Sequence, residues 1–490
     1  MIIKKNQDEI IGYLEDSSNF REGKAEKVYI PENEGEIIGI VKECAKNGPK
    51  GPTPLTVSAG GTGTVGARIP LEGAVLSIEK LNKIISVDKK GNTAILQAGV
   101  MIDNFLKELE KEKLFYPPFP TERTAFIGGN VSTNASGEYS YRFGSTRRYV
   151  KRIRVVLSTG TVLDIPRGKY KADKEGYINN GDSPLFFQKG GQSPLKIPSY
   201  TSPGVKNSAG YFSRPGMDLI DLFIGSEGTL GIITEVEVEV IPALPPRFIM
   251  IMFFPDEERI VPEFLSEVKG RAVVDPLQVE YFDRNSLSFL KKDFPDIPEC
   301  AAAIYVEDTE NEKNLDGWCG LVEKYGIADT WMSKDGKSYR NLVDFRHKLP
   351  ENVNAYFKKI GSIKLAVDAA LPENAFPDFY RMYKKIQDET QIQTVRFGHI
   401  GENHLHFNFF PKDAGEKETV ARTIEDILRK AVKAGGTVSA EHGIGKLKHR
   451  YLEIMYGKEG ILEMSRVKKT IDPQSMFGLN NIFPGSMLNI

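Results

Sequence analysis

The sequence predicts an α+β protein built from two domains. A chain of 490 residues is too long for one ordinary hydrophobic core. Residues 1–242 mix short strands with long glycine-rich loops. Beyond the proline cluster Pro242-Ala-Leu-Pro-Pro246, apolar strands alternate with helices, the pattern of a sheet with helices packed over it. The expected division is therefore residues 1–242 and residues 243 onward. No internal repeat and no low-complexity tract interrupts either part.

The bulk numbers exclude several partners. Lys+Arg of 65 against Asp+Glu of 66 gives a formal charge of −1, which offers no basis for nucleic acid or an acidic membrane surface as the main partner. No run of 18 apolar residues exists and MIIKKNQDEI lacks a signal-peptide core, so a cytoplasmic protein is expected. Cys44, Cys300 and Cys319 are scattered. They suggest neither a disulfide framework nor an iron–sulfur cluster held within the chain.

In chain order, Ile37, Ile40, Val41 and Cys44 form one stripe of a helix near Asn33–Lys46. A short strand then runs into the glycine loop of LTVSAGGTGTVGARIP (Leu55–Pro70). Gly61-x-Gly63-x-x-Gly66 matches a dinucleotide fingerprint only formally, because no helix follows and Arg68-Ile69-Pro70 leads into the strand AVLSI. A phosphate here would be held by a nest of backbone N–H groups; the alternative is a plain tight turn. Lys83–Asp88 and Thr93–Ala98 form a hairpin around Lys90-Gly91-Asn92, and a helix follows at Asp103–Glu112.

Pro117–Ser145 reads as a long functional loop. Gly128, Gly129 and Gly137 permit close backbone approach to a planar or phosphorylated ligand, and Ser132, Thr133 and Asn134 supply donors. Leu219–Pro242 adds another Gly/Ser/Thr turn and closes with an alternating strand, Ile232–Ile241.

In the second half, strands are expected at Phe248–Phe254, Gln278–Phe282, Ala301–Glu307 and Ser362–Ala370. Helices are expected near Asp256–Lys269, Glu310–Tyr325, Ala375–Glu389 and Ala414–Ala434. Four of the six histidines fall in two short runs, RFGHIGENHLHFNFF (Arg396–Phe410) and SAEHGIG (Ser439–Gly445). The first reads as a hairpin turning at Gly401-Glu402-Asn403, with His404, His406 and Asn408 on one face. Thr437–Ala440 reads as a short strand delivering Glu441 and His442. Two neutral imidazoles and a carboxylate would make a three-ligand set for zinc, manganese or cobalt with open positions for substrate. Histidines hydrogen-bonded inside a sheet are the plainer alternative; a second Gly-flanked His/Glu run favours a site.

The order of these runs resembles the vanillyl-alcohol-oxidase/PCMH superfamily of FAD-binding oxidoreductases. Within it the chain is similar to the branch of D-lactate dehydrogenases, glycolate-oxidase catalytic subunits and D-2-hydroxyglutarate dehydrogenases. IGGNVSTNASG, GSEGTLGIIT, GHIGENHLHFN and EHGIG carry the resemblance, which covers residues 25–485. It implies a PCMH-type FAD-binding fold with an α/β cap (an antiparallel sheet covered by helices) spanning 243–460, and a segment 461–490 returning to the FAD domain.

The resemblance further implies that Gly60, Gly61, Thr62 and Gly63 cradle the FAD pyrophosphate. Thr121, Gly128, Gly129, Ser132, Thr133 and Gly137 would line pyrophosphate and flavin, and Ile232 would be a backbone contact near the adenine. His399, His406 and Glu441 would hold the metal, Arg346 would grip a substrate carboxylate, and Lys364, four residues before Asp368 as in several relatives, would be a further catalytic residue. Ser58-Ala59 stand where the family has Arg-Gly, and Gly478-Leu479-Asn480-Asn481 replaces its Asn-Pro-Gly-Lys. The first half contains no histidine, so FAD should be non-covalent. His404 stands where relatives commonly have Asn; a fourth ligand, a hydrogen-bond donor to a ligand and a substrate contact are its open roles. Residues 167–217 form a longer insertion than the family's linker, expected as a surface excursion or an oligomer contact.

The expected reaction is oxidation of a D-2-hydroxy acid, D-lactate-like, to the 2-oxo acid. His442 would be the general base and hydride would pass to the flavin. D-2-hydroxyglutarate or glycolate oxidation, and a flavin-dependent non-redox synthase of the ether-lipid type, are the alternatives. Electrons would pass to a separate acceptor protein or quinone; a homodimer and a location peripheral to the membrane are compatible with this reading.

Overall fold

The computed structural model describes residues 1–46, 51–178, 195–362 and 364–488. Three sheets organise it. The first has the order Ile2–Lys4, Lys27–Ile30, Ala74–Ser77, Leu55–Ser58, antiparallel at its edge and parallel through the rest. The second is wholly antiparallel: Ile84–Asp88, Thr93–Gln97, Ile232–Glu239, Val150–Val156, Val162–Pro166. The alternation in Ile232–Glu239 shows in its burial, with Val236 and Val238 inside and Glu235, Glu237 and Glu239 partly exposed. The helix Glu34–Cys44 forms where its apolar stripe predicts, capped by Asn33, whose side chain accepts from Glu36 N.

The cap carries seven antiparallel strands in the order Asp329–Met332, Arg247–Phe254, Ala302–Thr309, Gln278–Asp283, Gln393–Gly398, His406–Phe410, Leu365–Val367. FIMIMFF (248–254) is apolar throughout because both faces of its sheet are covered. Ile249, Ile251 and Phe253 meet Phe345, Leu349 and Val353 of the helix Gly336–Lys359. Phe248, Met250, Met252 and Phe254 join the cluster that contains Val261, Phe264 and Val268 of the helix Ile260–Gly270.

Some expectations change. The stretch Pro117–Ser145 is not all loop: Ile127–Thr133 is a helix ended by Asn134 in the left-handed region, and Ser140–Phe143 is a further turn of helix. Two adjacent glycines hide that helix, since glycine is a poor helix former and here tertiary packing overrides propensity. Thr437–Ala440 is no ladder strand; its N–H groups at Thr437 and Ala440 bond instead to the carbonyls of Ala370 and Asp368. The boundary at 460 falls inside the helix His449–Ile471, which is interrupted at Gly457. The described part of 167–217 is not a surface excursion. Tyr177–Ile178 pairs with Leu195–Lys196, Ala209 and Tyr211 are fully buried, and Tyr200 stacks on Tyr456. The remainder of that insertion, 179–194, lies outside the described residues.

Candidate active site

The strand Leu55–Ser58 delivers the glycine loop into a cleft. Gly61 has φ +77°, a conformation that excludes most side chains. A Cβ added to Gly63 would meet nothing within 4 Å, so its face opens on the cleft. Among the described residues, the backbone N–H groups of Gly60, Gly61, Thr62, Gly63 and Thr64 find no carbonyl acceptor. Five consecutive unpaired donors around an open space make a nest for an anion.

The opposite wall comes from the helix Ile127–Thr133 and its flanks. Gly128 lets that helix close on the neighbouring strand, where an added Cβ would sit 2.6 Å from Ala98 Cβ. Thr121, Gly128, Gly129, Ser132, Thr133 and Gly137 all face the cleft with Gly60–Gly63. Ile232 does not: its side chain is buried in the core, and its neighbours Gly231 and Ile233 line the cleft. The open nest and the shaped walls fit a pyrophosphate-linked planar cofactor such as FAD.

The same cleft ends at His399, Glu441 and His442. The chain turns there through Ile400–Glu402 and the left-handed Asn403, so that His399 and His406 come together across the hairpin. Gly398 has φ +121°, and an added Cβ would lie 2.9 Å from His406 Cδ2. Glu441 is shared: Oε2 is 3.2 Å from His399 Nε2, and Oε1 is 3.2 Å from His406 Nε2. His442 holds Nδ1 3.0 Å from Asp368 Oδ2 and Nε2 3.7 Å from Glu441 Oε1. His404 holds Nε2 3.0 Å from Asp368 Oδ1, and Nδ1 4.0 Å from Glu441 Oε2.

Electrostatics tie the cluster together. Burial alone would raise Glu441, yet Lys206 and His399 hold it well below the usual carboxylate range. Burial likewise works against charge on Asp368, but His442 and Lys448 hold it well below its ordinary value. Burial pushes His406 far down, whereas on His399 burial is outweighed by Glu280 and Glu441, which bring it up to about 9. His404 Nδ1 and His406 Nδ1 are buried with no hydrogen-bond partner. Converging imidazole nitrogens, an ionised carboxylate and an orphaned ring nitrogen are the donor set expected of a divalent first-row cation.

Two predicted residues stand differently from the rest. Arg346 lies outside the cleft lining, with Nη2 3.0 Å and Nε 3.3 Å from Glu280 Oε1. Glu280 also bonds His399 Nδ1 at 2.9 Å. Despite burial, Arg346 and His399 bring Glu280 down to about 2. Lys364 makes no hydrogen bond or ion pair among the described residues. Burial lowers it, against the attraction of Asp368 and Glu441. His347 bonds Glu138, and His449 bonds the carbonyls of Gly445 and Asn480, so both lie apart from the cluster.

Nothing in the sequence singles out Lys206, which comes from the insertion. Its Nζ is 2.8 Å from Glu441 Oε2 and 3.1 Å from Glu402 Oε2, with Ser140 Oγ at 3.3 Å. Asp368 entered only through its spacing from Lys364, and Glu227 and Glu280 are equally unannounced.

Two family descriptions match the chain: "FAD binding domain" over residues 25–166 and "FAD linked oxidases, C-terminal domain" over 246–480. A D-lactate dehydrogenase of Anaerostipes hadrus is 28% identical over 464 residues, covering 91% of this chain and 87% of that protein. The glycolate oxidase subunit GlcD of Bacillus subtilis is 25% identical over 482 residues, 96% and 92% of the two chains. A D-2-hydroxyglutarate dehydrogenase of Stutzerimonas stutzeri is 28% identical over 446 residues, 88% and 85% of the two. In fold, 4-ethylphenol oxidase from Gulosibacter chungangensis superposes with TM-score 0.69 at 16% identity, covering 99% of this chain and 95% of that one. An alkyldihydroxyacetonephosphate synthase superposes with TM-score 0.64 at 15% identity, covering 97% and 81%. No helix among the described residues is long and apolar enough to cross a membrane. The nest, its glycine-lined walls and the two matched domains agree, and the chain belongs to the PCMH-type family of FAD-linked oxidoreductases.

Proposed function

We propose that the protein oxidises a small D-2-hydroxy acid, D-lactate-like, to the 2-oxo acid, and passes the electrons to a separate acceptor. One observation carries this reading: a single cleft joins the anion nest of Gly60–Gly63 to His399, Glu441 and His442. FAD in that cleft supplies the hydride acceptor, and a divalent ion held by His399, His406 and Glu441 supplies Lewis acidity that eases loss of the hydroxyl proton.

The chain's own residues account for orientation and proton transfer. Asp368 accepts from His442 Nδ1, which leaves Nε2 with its lone pair toward the cleft as general base. Ser439 Oγ at 2.7 Å and Lys448 Nζ at 2.9 Å keep Asp368 in its ionised, accepting form. Lys364, half-buried and unpaired among the described residues beside Asp368 and Glu441, binds the substrate carboxylate. Arg346 acts through Glu280: it fixes the carboxylate that in turn orients His399.

The test is anaerobic mixing of the FAD-loaded protein with D-lactate, L-lactate, D-2-hydroxyglutarate and glycolate while the oxidised-flavin absorbance is followed. D-lactate should bleach it and L-lactate should not. His442→Ala should slow bleaching by about 10²–10⁴-fold while keeping FAD bound. A flavin that stays oxidised with all four acids refutes the reading.

A further inference from the structure

We infer that His404 is a fourth protein ligand of the divalent cation, so that the centre is three imidazoles and one carboxylate. The inference rests on the metal-assisted reading above and concerns how the ion is held.

His404 is completely buried, just outside the strand His406–Phe410, where its N–H bonds His399 O at 3.2 Å. Its Nε2 is 3.0 Å from Asp368 Oδ1. The other oxygen of Asp368 is surrounded by donors: Ser439 Oγ, Lys448 Nζ, His442 N and His442 Nδ1, all within 3.2 Å. A carboxylate so surrounded is an acceptor only. The proton of the neutral His404 ring therefore sits on Nε2, and the lone pair sits on Nδ1.

That lone pair points at nothing able to donate. Nδ1 is buried without a partner, and Glu441 Oε2, itself an acceptor held by Lys206 and His399, lies 4.0 Å away. Leaving a buried acceptor unsatisfied is costly, and facing a second acceptor makes the arrangement worse. A cation between them removes the conflict. His399, His404 and Glu441 each offer a ligand atom within 4.8 Å of the others, as do His406, Glu441 and His442. Ligand atoms bonded at ~2.1 Å in a tetrahedron stand about 3.4 Å apart, so the 4.0 Å separation needs only a small closure. Carboxylate–imidazole–metal relays of this kind fix both tautomer and ring direction, and Asp368 serves His404 in that way.

A buried water bonded to Nδ1 is the competing explanation, and counting imidazoles separates the two. X-ray absorption on the Zn²⁺-loaded, FAD-containing wild-type protein should show three imidazole nitrogens at the metal. The His404→Asn variant should show two, and competition with a chelator should show its Zn²⁺ affinity lowered by about 100-fold or more, beyond what loss of an outer partner produces. Two imidazoles in the wild type overturn this assignment and leave the metal-assisted reading standing. A wild type that retains no Zn²⁺ overturns both. The wild-type count stands even if the variant fails to fold, and the flavin spectrum reports whether it has.

Discussion

Glu227 combines a left-handed backbone, φ +51°, with a buried carboxylate bordering the flavin cleft. It accepts from Ile444 N at 2.8 Å and Gly445 N at 2.6 Å, which anchors the loop that follows His442. Burial outweighs these bonds and raises its pKa to about 7. A carboxyl raised in the folded state contributes stability below its unfolded pKa and loses it as pH climbs through the folded value. Stability should therefore fall between about pH 4.5 and 7 by up to roughly 3 kcal/mol from this group. Glu227→Gln keeps an acceptor for the two amides and cannot ionise. Urea titrations should show the variant gaining on the wild type above pH 7 and matching it below pH 4.5; a pH-independent difference would contradict the assignment. Arg346 poses a different residue-scale question. Arg346→Met leaves the charged, buried Glu280 with His399 as its remaining partner, at a cost of about 3–5 kcal/mol. Arg346→Met combined with Glu280→Gln should recover most of that stability. If the arginine served only to hold substrate, the single change would raise KM and leave the unfolding midpoint alone.

Among the elements, the segment 195–213 gains its meaning from what it reaches. Ser208 N bonds Ser439 O at 2.9 Å and Asn134 Nδ2 bonds Asn207 O at 3.2 Å. Lys206 is thereby held against Glu402 and Glu441 with almost no exposure. Lys206→Met strips two buried carboxylates of their shared cation. Thermal unfolding should drop more in chelator-treated protein than in Mn²⁺-loaded protein, because the ion replaces part of the lost countercharge. Equal drops in both states would mean that Lys206 is insulated from the ion. The helix Gly336–Lys359 was concealed for another reason. Its capping box at Asp335 and Ser338 starts it firmly, but Pro350 inside the run reads as a stop.

For the molecule as a whole, the cleft is walled by the glycine loop and the helix Ile127–Thr133 on one side and by the cap's histidines on the other. The chain's last part also returns to the first domain: Phe477 bridges Leu55, and Asn481 Nδ2 bonds Ala67 O at 2.8 Å and Glu227 O at 2.9 Å. A ligand that binds only the assembled cleft adds its binding energy to folding. FAD at 100 times its Kd should raise stability by about 2.7 kcal/mol, read as a shift in urea midpoint between FAD-stripped and reloaded protein. No shift would place the cofactor elsewhere. The two domains, the glycine nest and the pairing of His399 with His406 were legible because each rests on neighbours in sequence: turn glycines, period-two alternation and a hairpin a dozen residues long. Arg346 was expected to grip a substrate carboxylate, whereas its guanidinium bonds Glu280 outside the cleft lining. Asp368, Glu280 and Lys206 carry no local signal, since a lone charge reads as solvated surface until its partner is known. The sequence by itself determined the family, the cofactor class and the histidine-rich centre. Tertiary structure alone decided which carboxylate faces which imidazole and which charges are buried, because Coulomb and desolvation energies depend on separations in space between residues as far apart as 206 and 441.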